Sequence, residues 1–355
     1  MYSFIKNYFR SFNYRAVILL ITVILLPVSF LISISVGAVS VPFGEVIRIL
    51  CGYDSETHFL YTIREIRLPQ VLAAILAGAG LSVSGATMQS VLRNPLCSPF
   101  TLGISSAAAF GAAVTLYFGG GVISLADNTL FASNHFFATT RIGISLGAFF
   151  CAVLTTAAVL LLGQIRGAGS ESIILVGVAI SSLFSAALMF LQYIADDSRL
   201  AAIVYWTFGD TARVTWGGLI LMAVCILPVS FYFLYQSWNY NALVLGEESA
   251  RSLGVPVWRL QTLTMLFASL LTAVLVSLLG IIGFVGLVVP HVARILVGSD
   301  HRFLLPFSLL FGGLLLLIAD TSARLIFAPR ILPVSILTAF IGVPVFLSLL
   351  LGKRN

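Results

Sequence analysis

Apolar and polar positions alternate along this chain on the scale of whole helices, not of single turns. Long runs of Leu, Ile, Val, Ala, Phe and Gly are separated by shorter segments that hold most of the Arg, Asp, Glu and Asn residues. A helix apolar on every side is buried in protein or in lipid, and about 18 or more such residues cross a bilayer core. The runs fall at 16–37, 68–90, 101–119, 142–164, 172–194, 216–236, 260–280, 283–297, 303–326 and 334–351. The pattern predicts an all-α integral membrane protein of about ten transmembrane helices. The eighth run is short and carries Pro290, His291 and Arg294, which predicts shelter by protein rather than lipid.

Lys6, Arg10 and Arg15 precede the first run, as basic residues precede a signal peptide. The run is longer than the apolar core of about 7–15 residues that a signal peptide uses, so it reads as an uncleaved first helix with a cytoplasmic N-terminus. An even number of spans then puts both termini in the cytoplasm. With that topology the inner segments collect both lysines and most arginines, a modest positive-inside bias. Arg48, Arg64, Arg67, Arg141, Arg199, Arg213, Arg324 and Arg330 remain outside, and so many outer arginines need an explanation of their own. The longest polar segments are 41–67 and 195–215 outside and 237–259 inside. No soluble domain interrupts the chain, which reads as a single transmembrane domain over 1–355.

Composition sharpens this. The 355 residues are 59% hydrophobic and 9% charged, with a mean hydropathy of +1.08. Soluble domains carry about 25% charged residues, so the polar material to cover a water-facing surface is missing. That excludes a cytosolic enzyme, a disordered chain and, despite a net charge of +6, a nucleic-acid binder. Cys51, Cys97, Cys151 and Cys225 lie far apart with no CxxC spacing, which signals neither a metal site nor a disulfide framework.

Three segments carry more than composition. In the first, Arg67-Leu68-Pro69-Gln70 leads into a small-residue helix (Gly78, Gly80, Ser82, Ser84, Gly85) that ends at Arg93-Asn94-Pro95-Leu96. Small side chains let helix backbones approach in lipid, and proline stops the helix at Asn94. In the second, 245–255 reads as a short amphipathic helix in the inner loop. Glu247 and Arg251 are spaced for an i,i+4 pair and Gly254 for a C-terminal cap, which suits a docking knob for a cytoplasmic partner. In the third, GFVGLVVPHVAR (283–294) and Asp300-His301-Arg302 precede Asp320, a carboxylate inside a span. Such a charge is expensive and usually paired, and Arg324 one turn on is its natural partner.

These segments, in this order, resemble the FecCD-type permease subunits of ABC importers for iron–siderophore, haem and cobalamin. The likeness runs from about Arg64 to Leu351 through RLPQ, SGATMQ–RNPL, LGEESARSLGV, GFVGLVVPHVAR, DHR, LLIADTSAR and the terminal LPVSILTAFIGVPVFLSLL. It implies the type II importer bundle of ten spans per subunit in a prokaryotic cytoplasmic (inner) membrane. It also implies a second permease copy, two ATP-binding subunits and an extracytoplasmic substrate-binding protein as partners. Leu245, Gly246, Glu247, Glu248, Ala250, Arg251, Leu253 and Gly254 would form the coupling helix. Arg64, Arg67, Arg324 and Arg330 would meet acidic residues of the binding protein. Gln70 stands where relatives often have a second arginine, and Arg330 where they commonly have Glu. Asn94, Leu96, Ser170 and Glu171 would form the cytoplasmic gate. Arg324 has the rival role of partner to Asp320.

No cofactor is expected on this chain. It has no GxxxxGK[ST] phosphate loop, so ATP and Mg²⁺ belong to the partner ATPase subunits and the permease does no covalent chemistry. An ion-coupled secondary transporter is the alternative, but it needs several coupling-ion ligands in the membrane and Asp320 is alone. An intramembrane hydrolase needs a nucleophile and base at one depth, and no HExxH appears. Within the resemblance a ferric siderophore is the leading cargo, with haem, cobalamin and oxyanions as rivals.

Overall fold

The computed structural model describes residues 2–37, 40–53, 57–125, 134–165, 170–328 and 330–351, with side chains over 14–37, 40–53, 58–118, 141–163, 171–328 and 330–348. The described residues form helices and no strand. Helix α1 (Tyr2–Ser35) is followed by α2 (Phe43–Leu50), α3 (Thr57–Tyr61) and a π-helical stretch, Thr62–Arg67, that runs directly into α4 (Leu68–Val91). Next come α5 (Ile104–Leu125), α6 (Asn134–Ile165), α7 (Ser170–Ile194) and α8 (Asp197–Thr207), then a 3-10 turn at Thr211–Arg213 and α9 (Trp216–Tyr235). The short α10 (Ser237–Val244) and α11 (Glu247–Ser252) precede α12 (Val257–Leu279), α13 (Val285–Val297), α14 (His301–Ile326) and α15 (Val334–Leu351).

Seven of these helices (α1, α4, α6, α7, α9, α12 and α14) contain a segment long and apolar enough to cross a membrane, and α5, α13 and α15 supply shorter apolar ones. Together they make up the ten spans. The polar segments 41–67 and 195–215 hold α2, α3 and α8, which no long apolar run announces. α8 starts because the Asp196 carboxylate accepts the Arg199 backbone N–H at 2.9 Å, an N-cap.

α4 is the centre of the bundle: 78% of its spanning window is buried, against 6% for α7. Its small residues explain why. A Cβ on Gly78 would lie 2.1 Å from the Gly312 carbonyl oxygen of α14, and one on Gly85 would lie 1.8 Å from that of Gly286 in α13. Between them Ser82 Oγ donates to the Ser308 carbonyl of α14 at 2.6 Å. These contacts use bare backbone, the association mode that a bilayer favours because it supplies no hydrophobic drive between helices. Gly111 of α5 and Gly147 of α6 meet the same way, with 2.2 Å from a Gly111 Cβ to the Gly147 oxygen. Residues 143–147 spell Gly-x-Ser-x-Gly, yet they lie inside α6 and not on the strand-to-helix elbow that a hydrolase nucleophile requires.

Candidate coupling and docking sites

At one end of the bundle α11 projects as a compact knob. Gly246, with φ +114, turns the chain into it, and Gly254, with φ +83, turns it out. The Gly254 N–H donates to the Arg251 carbonyl at 2.9 Å and the Val255 N–H to the Ala250 carbonyl at 3.0 Å, a complete Schellman cap. Ala250 and Val255 are buried in the main apolar cluster with Tyr240 and Leu243, so the knob is nailed to the bundle by its underside. Its upper face is open. Glu248, Arg251 and Ser252 are exposed, Glu247 pairs with Arg251 at 3.7 Å, and Leu245 and Leu253 are 69% and 66% exposed. Val244 and Trp258 extend that apolar rim.

The same end carries the neck of α4. Arg93 occupies the left-handed region at φ +49, where a glycine is usual. It is held there because its N–H donates to the Ser90 carbonyl and the Asn94 N–H to that of Gln89. Asn94 Oδ1 then accepts the Leu96 N–H at 2.9 Å, closing a tight turn that leaves Leu96 exposed. Glu171 is exposed in the first turn of α7, and the side chain of Ser170 lies outside the described residues.

At the opposite end the arginines are largely employed in structure. Asp320 is 2% exposed; Arg324 Nε lies 3.1 Å from its Oδ2, while Oδ1 accepts from Gln70 Nε2 at 3.0 Å and from the Thr211 hydroxyl. The Arg324 guanidinium also donates to the Ser33 Oγ at 2.6 Å and to the Ser33 and Val36 carbonyls. Arg67 donates to the Ile34 and Ser35 carbonyls at 2.6 and 3.0 Å. Two buried arginines thus clasp the negative, carbonyl-bearing end of α1. Arg67 and Arg324, expected to meet the binding protein, are each only 5% exposed in this chain, Arg67 bonded to the end of α1 and Arg324 to α1 and Asp320. Arg213 caps α8 by donating to the Tyr205, Trp206 and Phe208 carbonyls. Arg199 pairs with Asp196 and lies over Tyr117. Arg64 and Arg330 are exposed.

Residues 25–352 of this bundle match the FecCD transport family. The chain belongs to that family. It is 50% identical over 348 residues to a candidate ABC transporter permease protein of Methanocaldococcus jannaschii, covering 98% of this chain and 96% of that protein. It is 36% identical to the hemin transport permease HmuU of Yersinia pestis, covering 94% of each chain. A solved structure, described as an inward-facing conformation of a candidate metal-chelate type ABC transporter, superposes with a TM-score of 0.80 at 33% identity. It covers 94% of this chain and 99% of that one. The molecule is a permease subunit of an ABC importer with the type II importer bundle.

Sequence reasoning did not find three polar partners in this FecCD permease: Gln70, Thr211 and Ser33. Gln70 stands out only as a departure from the family pattern, and its amide serves Asp320 where a second arginine would bring another positive charge. Thr211 and Ser33 reach the Asp320–Arg324 pair from 109 and 291 residues away in sequence, with no local periodicity to mark them.

Proposed function

We propose that this permease carries a metal chelate, a ferric siderophore foremost, into the cytoplasm by alternating access between two permease copies, each seated on its own ATP-binding subunit. The observation that carries this reading is α11: a rigidly capped, externally amphipathic knob with no catalytic group, on a chain with no phosphate loop of its own. ATP and Mg²⁺ stay on the partner subunits, and this chain is a conduit. The knob's end faces the cytoplasm, as do both termini, and Asn94, Leu96, Ser170 and Glu171 form the inner gate. An extracytoplasmic binding protein docks at the other end. There the exposed Arg64 and Arg330 supply the positive charge, contributing to association rate and register more than to affinity. The chelate assignment is supported by the description of the structural relative as a metal-chelate type transporter; other relatives are named for hemin, vitamin B12 and molybdate.

The test is uptake by the reconstituted importer. Glu247→Ala with Arg251→Ala removes the knob's ion pair while leaving Glu248, Ala250 and the Gly254 cap in place. Uptake should fall by about tenfold or more, the equivalent of losing about 1.4 kcal/mol at the seat. Binding-protein docking should be unchanged. Uptake at the wild-type rate sinks the coupling role. Accumulation of cobalamin or molybdate but not of ferric chelates corrects the cargo and leaves the permease reading intact.

A further inference from the structure

Asp300-His301-Arg302, at the start of α14, has no part in the sites described above. Its surroundings assign it a task. Asn241 of α10 donates through Nδ2 to Asp300 Oδ1 at 2.8 Å, and its Oδ1 accepts the His301 backbone N–H at 2.8 Å. Those two bonds fix which way the amide points. His301 Nδ1, also 2.8 Å from that oxygen, must therefore carry the proton. The other ring nitrogen, Nε2, lies 2.6 Å from Ser90 Oγ in the last turn of α4, and that hydroxyl also donates to the Ala86 carbonyl at 2.7 Å. His301 is 2% exposed and Ser90 7%, so the chain of bonds is shielded from water. Arg302 braces it, holding both Asp300 oxygens with Nη2 at 2.6 Å from Oδ2, and lies 4.4 Å over the Trp238 ring of α10.

A second strap runs parallel. Gln261 of α12 uses its one amide nitrogen twice, donating to the Val91 carbonyl of α4 at 3.3 Å and to Glu247 Oε1 of α11 at 3.2 Å. The neighbouring Gln89 is gripped from α13 by Arg294 at 2.5 Å. Three consecutive residues of α4, 89–91, are thus each tied to a different element, and two of the ties lead to the α10–α11 knob. The Arg93–Leu96 neck follows immediately.

We infer that Asn241–His301–Ser90 and Gln261 are positioning straps that pass displacement of the α10–α11 knob to the last turn of α4, and so to the neck beyond it. The inference rests on α11 being the coupling helix, but the strap itself needs neither nucleotide nor partner to be measured. Polar straps suit this task because each is a discrete bond that is made or broken, while apolar packing on the same faces would let the elements slide.

The experiment is amide hydrogen exchange on the purified full-length chain in lipid nanodiscs. Gly246→Ala with Gly254→Ala places side chains at φ +114 and +83 and loosens α11. In the otherwise unchanged chain, exchange of the 92–94 amides should quicken by about threefold or more. With Gln261→Ala and Asn241→Ala also present, the same glycine changes should leave the 92–94 amides at the rate set by the straps' absence, while 247–252 loosens as before. A side chain that merely stabilises the fold would quicken 92–94 on its own account and leave the effect of the glycine changes undiminished. That result overturns the inference, as does an unaltered 92–94 rate in the chain with intact straps. Failure here with loss of uptake for the Glu247/Arg251 variant would remove the straps and keep the coupling role of α11; the converse would remove the coupling role and leave the straps.

Discussion

Asp320 sets the electrostatic logic of the arginine-clasped end. Burying a carboxylate is tolerable only with compensation, and here one guanidinium, one amide and one hydroxyl supply it. Removing Asp320 alone would leave Arg324 buried beside Arg67, whereas removing both members of the pair leaves no orphan charge. Breaking one side of a buried pair costs about 3–5 kcal/mol, while replacing both with apolar residues is often neutral. Asp320→Ala should therefore lower the unfolding temperature of the purified protein well below that of Asp320→Ala/Arg324→Met. Equal losses would mean that water already reaches the pair. The spacing of Asp320 and Arg324 makes this pair legible in the sequence. The use of Arg67 does not show there, because the α1 carbonyls it binds are backbone atoms some thirty residues away whose position depends on how α1 packs. Asp300 at the other end illustrates the opposite balance. Burial pushes its carboxyl up, but bonds from Arg302 and Asn241 outweigh that and bring it to about 2. A depressed carboxylate contributes stability above its unfolded value of about 4 and loses it only as pH falls towards 2, so the strap holds its charge throughout the physiological range.

At the scale of elements, α4 turns a run of glycines and serines into helix contacts at backbone distance. Gly85→Ala puts a methyl where the Gly286 oxygen sits 1.8 Å away, and both atoms belong to helix backbones that cannot swing aside. Separating α4 from α13 should cost about 1–3 kcal/mol, the range for overpacked cores. Gly217→Ala in α9 meets nothing within 4 Å and should leave stability unchanged or raise it by up to about 1 kcal/mol. Thermal unfolding of the two variants side by side separates packing from helix propensity; equal shifts would refute the close-approach account. Most spans were readable to within a few residues because all-apolar length is a strong signal: 68–90 became Leu68–Val91, and 216–236 became Trp216–Tyr235. α6 was not, since it starts at Asn134 through a stretch whose His, Thr and Arg residues interrupt the apolar run. α2 and α8 escaped for a related reason. They are short and mix charge with apolar residues, and α8 owes its start to the Asp196 cap.

At the scale of the molecule, the two ends differ in chemistry, and the difference makes orientation measurable with the native cysteines. Cys51 follows α2 at the arginine-clasped end and is exposed. Cys97 follows the α4 neck at the knob end but is 1% exposed, and burial pushes its thiol up to about 12. Only the thiolate attacks a maleimide, and at pH 7.5 a group titrating near 12 is ionised at roughly one part in ten thousand or less. Cys151 and Cys225 lie within spans, in α6 and α9. A membrane-impermeant maleimide added to right-side-out membranes should therefore label Cys51. A Leu245→Cys variant on the open face of the knob should label only in inside-out vesicles, and Cys97 should stay unmodified in both. Labelling of Cys51 confined to inside-out vesicles would invert the whole assembly, placing α11 outside, where no ATP-binding subunit could reach it.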